Sequence, residues 1–263
     1  MMKYKALNKK EQEEVIIKIL DTLLDDSIPF SGEHRRQQWE KGWGENLKSG
    51  DITPRYFGKY KVNRLNGKFV WGLSPNYEQE MLCTIVDALA KKYLTEAKDI
   101  YEFGCGTGHN LLRVRKINKT AVLHGLDWVT SSQKLVTNLG MKGHLFDYFA
   151  PSNLKLEPDS AIFTVASLEQ TGTKYKKFVK YLLTNKPTLC VHIEPIPELL
   201  DSTKLLDYLS IKYMEKRKYL SGYLTYLREL EKQGKIKIHE ARRSGIGSMF
   251  IDGYSIIVWS PIK

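Results

Sequence analysis

The heptapeptide Glu102-Phe-Gly-Cys-Gly-Thr-Gly108 limits what this chain can fold into more than any other stretch of it. It completes the strand-like run 99–103 and precedes Asn110-Leu-Leu-Arg-Val, which opens a helical pattern. Glycine has no Cβ and tolerates positive φ, so Gly104, Gly106 and Gly108 let the backbone turn tightly and approach a ligand closely. The dinucleotide fingerprint sets its third glycine one residue later, which makes a pyrophosphate-binding loop the poorer match. Glu102, at the carboxyl end of the strand, is placed to receive the ammonium or hydrogen bonds of an amino-acid moiety.

Beyond this loop the apolar pattern alternates. Candidate strands fall at 99–103, 121–126, 143–146, 160–166, 188–193, 235–240 and 254–260, with helical segments between most of them, as parallel α/β units require. The second strand ends at Asp127, nineteen residues after Gly108, where a carboxylate can accept both ribose hydroxyls of an adenosine. The third ends at Asp147, placed to accept from an adenine amino group while neighbouring apolar side chains cover the ring.

These features together resemble the class I S-adenosylmethionine-dependent methyltransferases, whose Glu/Asp-x-Gly-x-Gly-x-Gly loop is matched by Glu102, Gly104, Gly106 and Gly108. The resemblance covers about residues 77 to 263. It implies an α/β fold: a Rossmann-like, seven-stranded, mostly parallel sheet with one antiparallel strand and helices on both faces. It also implies S-adenosylmethionine as cofactor, S-adenosylhomocysteine as product, a ribose contact at Asp127 and an adenine contact at Asp147. Cys105, Asn110, Trp128, Tyr148 and Ser167 complete the expected cofactor site.

A sulfonium methyl is already activated, so the protein has mainly to align a nucleophile and, for a hydroxyl, remove its proton. The fourth and fifth strands run into Ser167-Leu-Glu-Gln170 and Glu194-Pro-Ile-Pro197, outside the carboxyl ends where α/β folds bind ligands. Glu169, His192 and Glu194 are therefore the acid-base candidates; His192 reads equally well as a satisfied core residue, and Glu194 as a partner of backbone or lysine.

Residues 1–76 read as an amino-terminal helical and irregular cap on a methyltransferase domain of residues 77–263. An amphipathic helix is expected at 9–26, then a segment of weak periodicity at 28–75 that contains Arg35, Arg36, Trp39, Trp43, Arg55 and Tyr56. Arginine forks suit phosphate or carboxylate and tryptophan faces suit sugars or bases, so this segment is expected to close over a small anionic or sugar acceptor. The stretch 198–232 reads as an insertion of two helices broken near Ser221-Gly222, and the last two strands as a terminal hairpin.

Within the methyltransferases, the run GEHRRQQWEKGWGENL and the Ser-Leu-Glu-Gln and His-Ile-Glu-Pro loops are similar to enzymes of bacterial surface-polysaccharide clusters, including capsular O-methyl phosphoramidate pathways. That similarity implies a place in capsule or surface-polysaccharide biosynthesis with O-methylation favoured, and it is consistent with the nucleotide-linked or phosphorylated acceptor that the arginines suggest.

The net charge of +11 leaves a second reading open. Between Lys204 and Arg243, eleven Lys or Arg stand against five Asp or Glu, interleaved with tyrosines, as an RNA or protein methyltransferase could use. A further alternative is a non-catalytic protein that binds S-adenosylmethionine or S-adenosylhomocysteine. No apolar run reaches the roughly 18 residues of a membrane span, and the start lacks a signal-peptide core, so a cytoplasmic protein without membrane insertion is expected. Cys83, Cys105 and Cys190 are too scattered for a disulfide framework or zinc cage, and no metal is expected.

Overall fold

The computed structural model describes residues 3–262. Strand β1 (Tyr4–Ala6) and helix α1 (Lys9–Leu24) come first, then a 3-10 turn at Glu33–Arg35, helix α2 (Arg36–Ser49), strands β2 (Val62–Leu65) and β3 (Lys68–Gly72), and helix α3 (Tyr77–Tyr93). The alternating part follows as β4 (Asp99–Phe103), α4 (His109–Ile117), β5 (Val122–Asp127), α5 (Thr130–Asn138), β6 (Lys142–Leu145), β7 (Ala161–Val165), α6 (Lys176–Asn185) and β8 (Leu189–Glu194). Helices α7 (Leu205–Arg217) and α8 (Tyr223–Lys232) then lead to β9 (Ile236–Arg242), β10 (Ile246–Ser248) and β11 (Ser255–Pro261).

Seven strands form one sheet in the order β6-β5-β4-β7-β8-β11-β9, in which β11 alone runs antiparallel, to β8 on one side and β9 on the other. Successive residues of its strands point to opposite faces. Ile100, Leu123, Phe163, Val191 and Val258 pack with Leu111 and Val114 of α4 and Leu82 and Val86 of α3. Tyr101, Phe103, Ile162, Cys190 and Trp259 pack on the opposite face with Phe178 and Leu182 of α6 and Leu224 and Leu227 of α8. The seven strands expected from the sequence all form, the central ones buried on both faces and mostly apolar, the edge strands β6 and β9 partly exposed. The strand order reverses between β4 and β7, and the crevice outside their carboxyl ends is where such folds hold ligands.

The segment 28–75 departs from the expectation of weak regularity, since it holds α2 and a β2–β3 hairpin. The hairpin turns on Asn66 and Gly67, both at positive φ (50° and 73°), as a two-residue type I′ turn requires. With β1 and β10 it forms a four-stranded antiparallel sheet in the order β1-β3-β2-β10. Asn8 begins α1 with a reciprocal capping box to Glu11. The inner face of α1, Val15 and Ile19, packs with Phe69 of the sheet and with Leu209 and Tyr213 of α7. The expected terminal hairpin is interrupted, because the connection from β9 to β11 detours through β10. Among the described residues no helix is long and apolar enough to cross a membrane.

Candidate active site

The turn from β4 into α4 places Gly104, Gly106 and Gly108 all at positive φ (70°, 52° and 78°). A Cβ on Gly104 would lie 2.4 Å from Cβ of Ser167, and one on Gly106 would lie 2.9 Å from Cζ2 of Trp43 in α2. The glycines thus admit two neighbours, the loop after β7 and the cap. Thr107 also donates to the carbonyl of Ile52 (2.6 Å), tying the glycine turn to the chain that leaves α2.

Around this turn lies a cleft lined by Trp39, Trp43, Tyr56, Asp127, Trp128 and Tyr148, together with Gly104 to Thr107, Asn110, Ser167 and Gln170. Two carboxylates are incompletely satisfied here, Asp127 in the cleft lining and Glu102 behind it, next to the glycine turn. Glu102, fully buried, accepts from Asn110 Nδ2 (2.8 Å) through Oε1, while its Oε2 has no hydrogen-bond partner among the described residues. Asp127 accepts from the Gly106 amide (3.0 Å) through Oδ2, and its buried Oδ1 likewise has none. Burial pushes Glu102 up to about 8 and Asp127 up to about 6. A buried carboxylate oxygen without a donor is costly, so Glu102 Oε2 and Asp127 Oδ1 suit a ligand that donates hydrogen bonds or carries positive charge.

No family model and no curated protein matches the chain. Solved structures do. A geranyl diphosphate methyltransferase in complex with GPP and sinefungin superposes with a TM-score of 0.53 at 10% identity, over 88% of this chain and all (100%) of that one. The O-methyltransferase NcsB1 of neocarzinostatin biosynthesis, bound to S-adenosylmethionine and a naphthoic acid, gives 0.50 at 11% identity over 96% of this chain and 70% of its own. Mitomycin 7-O-methyltransferase MmcR gives 0.49 at 13% identity over 69% of this chain, which spans only 54% of MmcR. The fold is that of the class I methyltransferases.

On this methyltransferase fold the three acid-base candidates meet different fates. His192 is wholly inside the core: Trp259 Nε1 donates to its Nε2 (3.0 Å), where the Tyr223 hydroxyl also lies at 3.0 Å, and its Nδ1 lies 3.0 Å from the Thr164 hydroxyl. Burial pushes it down to about 3, so it stays neutral, and it does not line the cleft. Glu194 accepts the amides of Ser167, Leu168 and Glu169 (3.1, 3.0 and 3.2 Å) and holds the loop after β7 in place, with its carboxyl raised to about 7 by burial. Glu169 accepts from Gln170 Nε2 (3.0 Å), and Gln170 lines the cleft. Burial first, then the neighbouring Glu194, raises Glu169 to about 8.

Three of the expected cofactor residues, Glu102, Gly108 and Asp147, do not line the cleft, and Asp147 Oδ1 accepts from the Phe149 amide (2.8 Å) in a local turn. Trp128 stacks on Phe149 at 5.8 Å, so the apolar cover there is shared with a residue the sequence reading did not single out. Tyr148 reaches the Ser167 hydroxyl (3.0 Å), and Cys105 lies 3.5 Å from the Ser132 hydroxyl.

In the cap, Trp39 and Trp43 stack at 5.5 Å over the cleft and Tyr56 joins them, whereas Arg36 is exposed and exposed Arg55 pairs with Glu45 (2.7 Å). Arg35 turns inward and is 8% exposed. Glu40, absent from the sequence reading, accepts the Thr130 and Ser131 amides (2.8 and 3.1 Å) and so caps α5 from another element. Of the tyrosines that prompted the RNA reading, Tyr213 and Tyr223 are buried in packing.

Proposed function

We propose that this chain is an S-adenosylmethionine-dependent methyltransferase that encloses a small polar acceptor between α2 and the carboxyl ends of the central strands, and that it methylates a hydroxyl. The observation that carries this reading is the pair of buried, half-partnered carboxylates beside the glycine turn. Held up at about 8 and about 6, Glu102 and Asp127 gain most from a ligand that brings an ammonium and hydroxyl donors together. Glu102 would hold the amino-acid end and Asp127 the ribose, with Trp128, Phe149 and Tyr148 offering apolar faces to the adenine. The cofactor supplies a methyl group already activated on a sulfonium centre.

The remaining chemistry falls to the chain. Glu169 is the acid-base candidate that stands beside the cleft with neither the core packing of His192 nor the three amides of Glu194. Its carboxyl, raised to about 8, is largely protonated near neutral pH and is a stronger base than an ordinary carboxylate once ionised, so transfer is expected to quicken as pH rises toward 8. Trp39, Trp43 and Tyr56 form the wall that excludes water.

Calorimetry with S-adenosylhomocysteine tests the cofactor part. Saturable binding is expected, weakened about tenfold or more in Asp127→Ala, the loss of one or two charge-assisted hydrogen bonds. Absence of any heat with wild-type protein would sink the reading. Release of S-adenosylhomocysteine across a panel of hydroxylated acceptors, led by sugars and nucleotide-linked sugars in keeping with the surface-polysaccharide resemblance, then tests transfer. Glu169→Gln is expected to lower kcat by about 10²-fold or more on the acceptor used.

A further inference from the structure

We propose that Arg35 and Arg217 form an anion subsite beside Glu169, so that the acceptor carries a carboxylate or phosphoryl group in addition to the methylated hydroxyl. This rests on the methyltransferase reading above for the word acceptor, although the subsite itself is independent of it.

Two parts of the chain far apart in sequence are stitched together there. The Ser31 amide donates to the carbonyl of Arg217 (2.8 Å) and the Ser31 hydroxyl to that of Lys218 (2.6 Å), which sets the 3-10 turn ending at Arg35 against the end of α7. Arg35 Nε donates to Gln38 (3.0 Å), its guanidinium lies 5.8 Å from the ring of Trp39 in the cleft wall, and its buried Nη1 has no hydrogen-bond partner among the described residues. Arg217 Nη1 donates to the Tyr213 hydroxyl (2.9 Å), its guanidinium lies 5.0 Å from the Tyr219 ring, and its buried Nε also has none. Gln170, which lines the cleft, leaves its buried Oε1 unpaired as well.

Other arginines show what this chain does when it buries one for structure alone. Arg64 donates to three carbonyls, of Leu206, Met249 and Phe250, and Arg243 forks onto Asp207 and Asp252. Arg35 and Arg217 have no such complement. The acid near both is Glu169, and burial keeps its carboxyl at about 8 even with the two cations beside it, so near neutral pH it does not cancel their charge. Two guanidinium groups brought into one region by the Ser31 contacts, each with a spare buried N–H, suit the oxygens of a carboxylate or phosphoryl group. The anion-binding role expected for Arg36 and Arg55 passes instead to Arg217.

Calorimetric titration of inorganic phosphate and of acetate into the full-length protein, with and without S-adenosylhomocysteine, tests the assignment. Wild-type protein is expected to bind at least one ion saturably, and the tighter of the two names the group on the acceptor. Arg35→Gln and Arg217→Gln should each weaken that ion about tenfold or more, a charge-assisted hydrogen bond's worth, with exposed Lys48→Gln as the unchanged control. S-adenosylhomocysteine affinity should stay within about twofold in both arginine variants, since neither residue lines the cofactor cleft. Failure of both ions to saturate wild-type protein, or unaltered binding in both arginine variants, overturns the subsite, and the wild-type result stands even if a variant does not fold. Wild-type protein that binds an ion but not S-adenosylhomocysteine would instead overturn the methyltransferase reading and leave the subsite standing.

Discussion

Glu102 and Asp127 are the residues at which fold stability and function pull apart. A carboxyl near 4 in the unfolded chain and near 8 or 6 in the fold binds more protons when folded, so each acid's contribution to stability falls as pH rises through that interval. Glu169 and Glu194, raised to about 8 and about 7, act in the same direction. The melting temperature of the ligand-free protein is therefore expected to decline as pH rises from about 5 to 8, and S-adenosylhomocysteine to offset the decline by pairing with the ionised acids. Glu102→Gln keeps an acceptor for Asn110 but cannot ionise. It should be more stable than wild type at pH 8 by about 1 kcal/mol or more, equal to it near pH 5, and defective in cofactor binding. A wild-type melting temperature that climbs from pH 5 to 8 would refute this account. His192 acts in the opposite sense: its value of about 3 lies below that of an unfolded histidine, so it costs stability as pH falls below about 6.5. His192→Phe strands the Trp259 donor and should cost about 2 kcal/mol or more without changing S-adenosylhomocysteine affinity. Lost turnover in a protein of undiminished stability would return His192 to the chemistry.

Among the elements, α2 and α5 depend on one another. Val129 precedes α5 and offers no capping side chain, so the first amides of that helix are satisfied by Glu40 of α2. Glu40→Ala is expected to cost about 1 kcal/mol, a lost cap, and to speed amide exchange at both 130–132 and 36–49. Exchange that rises at 130–132 alone would mean that α2 is held by other contacts. This coupling also shows where sequence reading reached its limit. The central strands were legible because residues such as Ile162 and Ile257, buried within the sheet, make their runs mostly apolar. Helix α2 was not, because it crosses the cleft and buries little beyond Trp43 and Asn46, so no apolar stripe marks it. The β2–β3 hairpin carried a readable signal, Asn66-Gly67 between two alternating runs, that the surrounding glycines and aromatics obscured. Glycine turn, Glu102 and Asp127 lie within a short span and were found together. Arg217 and Glu40 were not, since only folding brings Arg217 to Ser31 or Glu40 to Thr130.

At the scale of the molecule, two sheets are joined by a chain that passes three times between them. β1, β2 and β3 precede the seven-stranded sheet in sequence, yet β10, between its last two strands, pairs with β2 through Ile246 to Ser248. Arg64 of β2 reinforces this closure. It is 3% exposed and gives its donors to the carbonyls of Leu206, Met249 and Phe250, so the start of α7 and the chain after β10 converge on one guanidinium. Burial lowers its pKa to about 10, still far above neutrality, so the charge persists, offset by those carbonyls and by the nearby carboxylates of Asp252 and Asp207. Arg64→Met fills much of the volume but leaves those carbonyls without donors, a cost of about 3 kcal/mol or more. If the smaller sheet holds the cap over the cleft, amide protection in 62–72 and 246–250 should fall together in this variant, while 99–103 and 122–127 keep theirs. The acceptor KM should then rise by a larger factor than the dissociation constant of S-adenosylhomocysteine, because Glu102 and Asp127 sit on the intact sheet and the proposed acceptor wall is joined to the loosened sheet through the chain between α2 and β2. Protection lost in only one of the two segments would show that they are separate units, and an equal loss of cofactor and acceptor affinity would show that the cap serves both sites alike.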